Sequence, residues 1–232
     1  MELDSGSREA PAREVVPPGF LTTLPAAVAM RLLADAVRMD VPAGGTVYRD
    51  EEIGRAIVVL HGLLRLYMRA PDGREVTIRY TRPGEIVGLA LVIGGPAPVS
   101  IQAVTGASVV ALRIDVLRGL LETDPAVARA CAEELARQLF RAFEEIADQS
   151  FLSVRQRVAR QLLDLAVHED DGTLVARVSQ QEIADAIASG REVVARALRE
   201  LREARLVEVS RNGIVVRDAL RLSEEVSGTP RS

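Results

Sequence analysis

Three arginines within nine residues, Arg191, Arg196 and Arg199, together with Glu192, form the densest recognition chemistry in the chain. Arginine can donate two parallel hydrogen bonds to O6 and N7 of guanine, and glutamate can accept from N4 of cytosine. Val194, Leu198 and Leu201 recur at helical spacing through the same stretch, so it reads as a helix with one buried stripe and a charged outer face. Charges alone would also suit a solvated face, with Glu192 capping its own helix and pairing with Arg196 four residues on.

The elements around these residues decide between the two readings. Ser179 followed by Glu182 is a capping box that starts a helix through Ile183, Ala184, Ala186 and Ile187. Ser189 and Glu192 repeat the same pattern after the short turn Ala188-Ser189-Gly190, and two helices joined in this way are a helix-turn-helix. Leu206–Val209 and Ile214–Val216, separated by Ser210-Arg211-Asn212-Gly213, predict a β-hairpin, because Asn-Gly is a strong two-residue turn signal. A hairpin directly after a recognition helix is a wing.

Upstream, Arg155 to His168 is an amphipathic helix, closed by the polar turn Glu169-Asp170-Asp171-Gly172. Asp124-Pro125 opens a longer helix running to about Ser150, with aspartate as N-cap and proline at the first helical position. Its stripe of Cys131, Leu135, Leu139, Ala142 and Ile146 is close to a coiled-coil seam and favours pairing with a second copy. Packing on the chain's own sheet is the alternative, since Phe140 and Phe143 lie off the seam. Cys131 is the only cysteine, so an internal disulfide is excluded and a buried structural thiol is expected.

From Val41 to about Ile114 short β-prone runs (AIVVLHG, LLRLYMRA, EVTIRYT, VSIQAV, SVVALRI) alternate with Gly- and Pro-bearing turns, which argues for an antiparallel barrel or roll. A short helix is expected between Leu24 and Met39, after an aperiodic arm. The resulting division is an arm over 1–18, a β domain over 19–123, a dimerisation helix over 124–152, a winged helix-turn-helix over 153–224 and a flexible tail over 225–232. With 232 residues and a net charge of −4, the chain has room for two modest domains and carries no overall basic field. No run is long and apolar enough for a membrane span, so a cytoplasmic protein without membrane contact is expected. Gly-rich phosphate loops, H-x-x-H and Cys-x-x-Cys patterns are all missing from the sequence, which gives no support to an enzyme and leaves no catalytic or metal-ligating set to name.

The segment 178–216, with S-x-Q-E-I-A followed by S-G-R-E-x-V-x-R, resembles the winged helix of the cyclic AMP receptor protein and FNR (Crp/Fnr) family of bacterial transcription regulators. Order and spacing agree from about Leu24 onward, including Val41-Pro-Ala-Gly and Arg82-Pro-Gly-Glu-Ile-Val-Gly. The resemblance implies an α+β fold: an N-terminal antiparallel β-roll of the cyclic-nucleotide-binding, jelly-roll kind, a long dimerisation helix and a C-terminal winged helix-turn-helix. It implies base reading by Arg191, Glu192 and Arg196, and Arg199 on the same helix is a further candidate DNA contact by its chemistry. Ser179, Gln180, Gln181, Ser189 and Gly190 would lie near phosphates of a two-fold symmetric double-stranded DNA site bound by a homodimer, with RNA polymerase a further partner.

The effector site departs from the family's nucleotide-binding pattern. Gly88-Leu89-Ala90 stands where a Gly-Glu pair would hold the ribose, and Val99-Ser100 where an Arg-Ser or Arg-Thr pair would hold the phosphate. Ala142 and Phe143 replace polar helix residues that would meet the purine. Leucine cannot accept a hydroxyl's hydrogen bond, and valine would leave a buried phosphate without its cation. Cyclic AMP is therefore not the expected effector, and no cofactor is expected. A filled core is the default for these positions; an apolar ligand, a haem or gas sensor using His61, and a winged helix serving only protein contacts are the alternatives.

Overall fold

The computed structural model describes residues 16–49, 55–73, 75–95, 97–169, 171–210 and 213–227. The chain begins with α1 (Phe20–Thr23) and α2 (Ala26–Ala34). It then enters a roll whose described strands are β1 (Val37–Val41), β2 (Thr46–Tyr48), β3 (Ala56–His61), β4 (Leu64–Arg69), β5 (Glu75–Thr81), β6 (Ile86–Val87), β7 (Ser100–Ala103) and β8 (Ala107–Leu112). α3 (Leu89–Gly94) interrupts the roll between β6 and β7. Two antiparallel sheets result, ordered β1-β8-β3-β6 and β2-β7-β4-β5.

The unbroken apolar run in β3 has a simple cause. Ile57 and Val59 point into the core between the sheets, with Tyr48, Leu64, Ile101 and Val109. Ala56 and Val58, on the alternate positions, point outward into a second core shared with Phe20, Leu32, Leu117 and Cys131. A strand buried on both faces loses the polar alternation of a surface strand.

α4 (Ile114–Thr123) leads into α5 (Pro125–Phe151), whose N-cap Asp124 accepts a hydrogen bond from the Ala126 amide at 2.9 Å, as the Asp-Pro pair predicts. The third region holds α6 (Val154–Leu165), β9 (Ala166–His168), β10 (Leu174–Ala176), α7 (Gln180–Ala186), α8 (Arg191–Glu203), β11 (Val207–Ser210), β12 (Gly213–Val216) and α9 (Ala219–Ser227). Its strands form a third sheet, ordered β11-β12-β10-β9, and its helices share one core.

Several boundaries differ from the sequence reading. The helix expected to reach Met39 ends at Ala34, because Met39 and Val41 alternate with Arg38 and Asp40 as a strand that pairs with β8. The helix expected to reach His168 ends at Leu165, and Ala166–His168 pair with β10 instead. The tail expected to be flexible from residue 225 is helical through Ser227. Glu225 accepts from Arg155 at 3.0 Å, and Val226 packs on the domain core. Residues 1–15 of the expected arm lie outside the described residues, whereas Val16 packs against the roll's outer core.

Candidate nucleic-acid interface

α7 begins as its sequence predicts. The Ser179 hydroxyl accepts from the Glu182 amide at 3.2 Å, and the Glu182 carboxylate accepts from the Ser179 amide at 2.7 Å. The second expected box does not form: Gly190, in extended geometry, caps α8 without a side-chain bond, and Ser189 donates its amide to the Ala184 carbonyl at 2.9 Å. The cause is Ala188, whose φ of 49° reverses the chain just before Ser189. Left-handed geometry costs a non-glycine residue about 1–2 kcal/mol, so the turn keeps its shape against local preference.

α8 is anchored by Val194, Ala197, Leu198 and Leu201, all buried in the domain core. Opposite them Arg191, Glu192, Arg196 and Arg199 are exposed. Among the described residues none of the four side chains has a hydrogen bond or ion pair, so the Glu192–Arg196 pair that a solvated helix face would form is not made. Other arginines of the domain are engaged: Arg155 with Glu225, Arg160 with Asp148, Arg177 with Glu169 and Arg217 with Glu208. The face of α8 thus offers guanidinium groups with their donors unspent. Gly190 and Gln181 are also exposed, while Ser189 and Gln180 are half-buried.

The wing is present as an antiparallel pair in which Val207 faces Val216 and Ser210 faces Gly213. Arg211 and Asn212 of the expected turn lie outside the described residues. The sequence reading passed over Asp185, whose Oδ1 accepts from Gln181 Nε2 at 2.7 Å; the four-residue helical spacing was the available signal.

The expected effector residues do not gather round one cavity. Leu89 is fully buried in the outer core, Val99 packs against the inner one, and Ser100 is half-buried in β7 opposite Tyr67. Gly88 caps α3 at φ 84°, where a Cβ would stand 1.9 Å from the Arg55 carbonyl oxygen. Ala90 and Ala142 alone of the set line a cleft of ≈ 530 Å³, which lies between β5, α5 and α6 and is edged by Arg79, Gln138, Arg157 and Gln161. Burial pushes the carboxyl groups of Glu145 and Asp164 in this cleft above the usual range. His61 is exposed at the end of β3, and no grouping of metal-ligating side chains occurs among the described residues. Cys131 is buried, and burial raises its thiol to about 11.

α5 changes character along its length. Val127, Ala130 and Cys131 are buried against the roll, whereas Leu139, Phe140, Phe143 and Ile146 are 52%, 62%, 54% and 61% exposed. Among the described residues, no helix is long and apolar enough to cross a membrane.

Two family models match: the Crp-like helix-turn-helix domain over 156–225 and the cyclic nucleotide-binding domain over 38–124. Across 192 residues the chain is 31% identical to a CRP-like cAMP-activated global transcriptional regulator of Mycobacterium tuberculosis, covering 80% of this chain and 86% of the relative. A solved CRP-family transcriptional regulator from Thermus thermophilus is 30% identical with a TM-score of 0.70, covering 82% of this chain and 96% of the other. A Crp/Fnr-family structure from Eubacterium rectale reaches a TM-score of 0.74 at 23% identity, over 89% and 96% of the two chains, and supports the fold. With a roll, a long connecting helix and a winged helix-turn-helix in the family's order, the chain belongs to the Crp/Fnr family of transcription regulators.

Proposed function

We propose that this regulator acts as a homodimer, reads a two-fold symmetric operator with Arg191, Glu192 and Arg196 of each α8, and does so without cyclic AMP. The observation that carries the reading is the exposed face of α8, where these side chains and Arg199 are unpaired while the domain's other arginines named above are engaged. Ser179, Gln180, Gln181, Ser189 and Gly190 stand at the N-terminal ends of the two helices, where amides and short polar side chains meet phosphates. Dimerisation through α5 rests on Leu139, Phe140, Phe143 and Ile146, a contiguous apolar face that a soluble protomer seldom leaves open.

The Mycobacterium relative is named for activation by cyclic AMP. In this chain Leu89 fills the position of the ribose-binding carboxylate and is sealed in the core, and Val99 offers no cation to a phosphate. The chain is accordingly read as a cytoplasmic, non-enzymatic protein that meets DNA and RNA polymerase. The test is an anisotropy titration against a symmetric family-type DNA site with and without cyclic AMP, using Arg191→Ala with Arg196→Ala as control. Salt-sensitive binding without nucleotide, lost in the control, is the expected result. Binding that appears only with cyclic AMP overturns the sensor half of the reading, and binding that survives in the control overturns the role given to α8.

A further inference from the structure

The roll and the DNA-reading domain touch through a small set of side chains. Tyr80 and Leu63 of the roll pack on the winged-helix core, and the Arg82 guanidinium donates to the backbone carbonyl of Asp164 on α6. The third contact is Arg65 of β4, which is only 8% exposed. Its Nε donates to Gln102 Oε1 at 2.7 Å, its Nη2 donates to Glu75 Oε2 at 2.5 Å, and it lies over the Tyr67 ring at 4.5 Å. These bonds fix the guanidinium and leave Nη1 buried without a hydrogen bond, 3.8 Å from the Asp185 carboxylate of α7. A buried donor of this kind draws strongly on the nearest anion. The other oxygen of Asp185 holds the side-chain amide of Gln181 at 2.7 Å.

We propose that Arg65 and Asp185 form an interdomain latch that restrains the winged helix and ties up Gln181, so that release of the pair by the sensor roll raises affinity for DNA. The chain of contacts runs from a rigid, buried group of the roll, through one carboxylate, to a side chain placed at the phosphate backbone. Of the three contacts only this one ends on such a residue. Engagement of DNA frees the Gln181 amide from Asp185, and the Arg65 charge stabilises that carboxylate in the docked arrangement. The reading rests on the DNA-binding role proposed above for Gln181.

The sign of a substitution separates the latch from simple electrostatics. Removing a cation near DNA weakens binding by ordinary charge arithmetic, whereas opening a latch strengthens it. Full-length Arg65→Gln, which keeps a hydrogen-bonding head for Gln102 and Glu75, is therefore titrated against the same operator as the parent chain. Binding about 5-fold tighter or more is expected, with no further gain from adding Asp185→Asn. Unchanged or weaker binding by a variant with the parent's circular dichroism and melting temperature overturns the proposal. Hydrogen exchange supplies a second reading that needs no DNA. In Asp185→Asn the amides of 75–81 and 180–186 should exchange at least about threefold faster than in the parent, and unchanged protection overturns the latch even if Arg65→Gln fails to fold. Failure of the parent chain to bind any operator would sink the DNA-binding reading, and the exchange experiment would still decide whether the domains are coupled through this pair.

Discussion

Replacing Arg196 by alanine separates reading of bases from attraction to phosphates. Arg196 is exposed on α8 and, among the described residues, its side chain makes no hydrogen bond or ion pair, so its truncation removes no such contact from the folded protomer. Alanine is the best helix former, and the change in folding stability should stay within about 0.5 kcal/mol. A bidentate contact to guanine contributes roughly 1–3 kcal/mol of discrimination, and a dimer makes it once per half-site, so the expected loss is about 2–6 kcal/mol. That corresponds to affinity reduced by about 30-fold to about 20,000-fold. The loss should concentrate at one base pair of each half-site and leave the slope of affinity against salt almost unchanged, whereas a phosphate contact would lower the slope by about 0.9 for each protomer. Anisotropy titrations at four salt concentrations, against the operator and single-base variants, read both quantities. A uniform loss over all sequences with a shallower salt slope would refute base reading by Arg196, and a loss tracking a lower melting temperature would refute the claim that its only role is at the DNA.

Leu198→Ala should remove about 2–5 kcal/mol from the winged-helix domain, because the side chain is buried in a core that cannot collapse round the gap; urea unfolding measures it. Gly88→Ala should cost more than about 2 kcal/mol by the same assay, since it combines a left-handed φ with a Cβ 1.9 Å from a carbonyl oxygen. Ile146→Asp should leave the protomer folded, its side chain being exposed, and shift sedimentation from dimer to monomer with at least about 100-fold weaker association. Burial raises the Cys131 thiol from 9.0 to about 11, so the folded state holds the proton longer than the unfolded one. Its contribution to stability is then complete below the ordinary thiol value and declines as pH rises through it toward about 11, so Cys131→Ala should make the decline shallower in urea titrations, the remainder coming from Tyr80, which burial raises to about 12.

The two helices of the helix-turn-helix were legible because local rules and tertiary packing agree there. The Val194, Leu198 and Leu201 stripe of α8 is buried, and the Ser179 capping box of α7 forms. The turn between the helices was not legible in detail. Ser189-x-x-Glu192 satisfies the capping pattern, yet Ala188 in left-handed geometry delivers Gly190 to the cap position, and tertiary docking of α7 against α8 overrides the local preference. The short strands β1, β6 and β9 escaped notice for a related reason: a few residues pairing with a distant partner leave no periodicity of their own. The links between domains were invisible, because Arg65 and Asp185 are 120 residues apart and neither belongs to a motif.

Side chains of this chain tie the roll to the long helix directly. α5 is fastened to the turn at the mouth of the roll by Arg141, whose Nη1 donates to Glu85 at 2.5 Å, and by Gln138, which donates to the Ile86 carbonyl at 3.2 Å. Arg79 donates to the same carbonyl at 2.9 Å. A ligand bridging roll and helix acts by favouring one arrangement of the two, and it can shift that balance only by its difference in affinity between arrangements. Here Arg141 and Gln138 already bridge roll and helix, so a ligand entering between them would have to offset those two bonds. The roll–winged-helix junction differs, because there the Arg65–Asp185 pair is long, largely buried and incompletely satisfied.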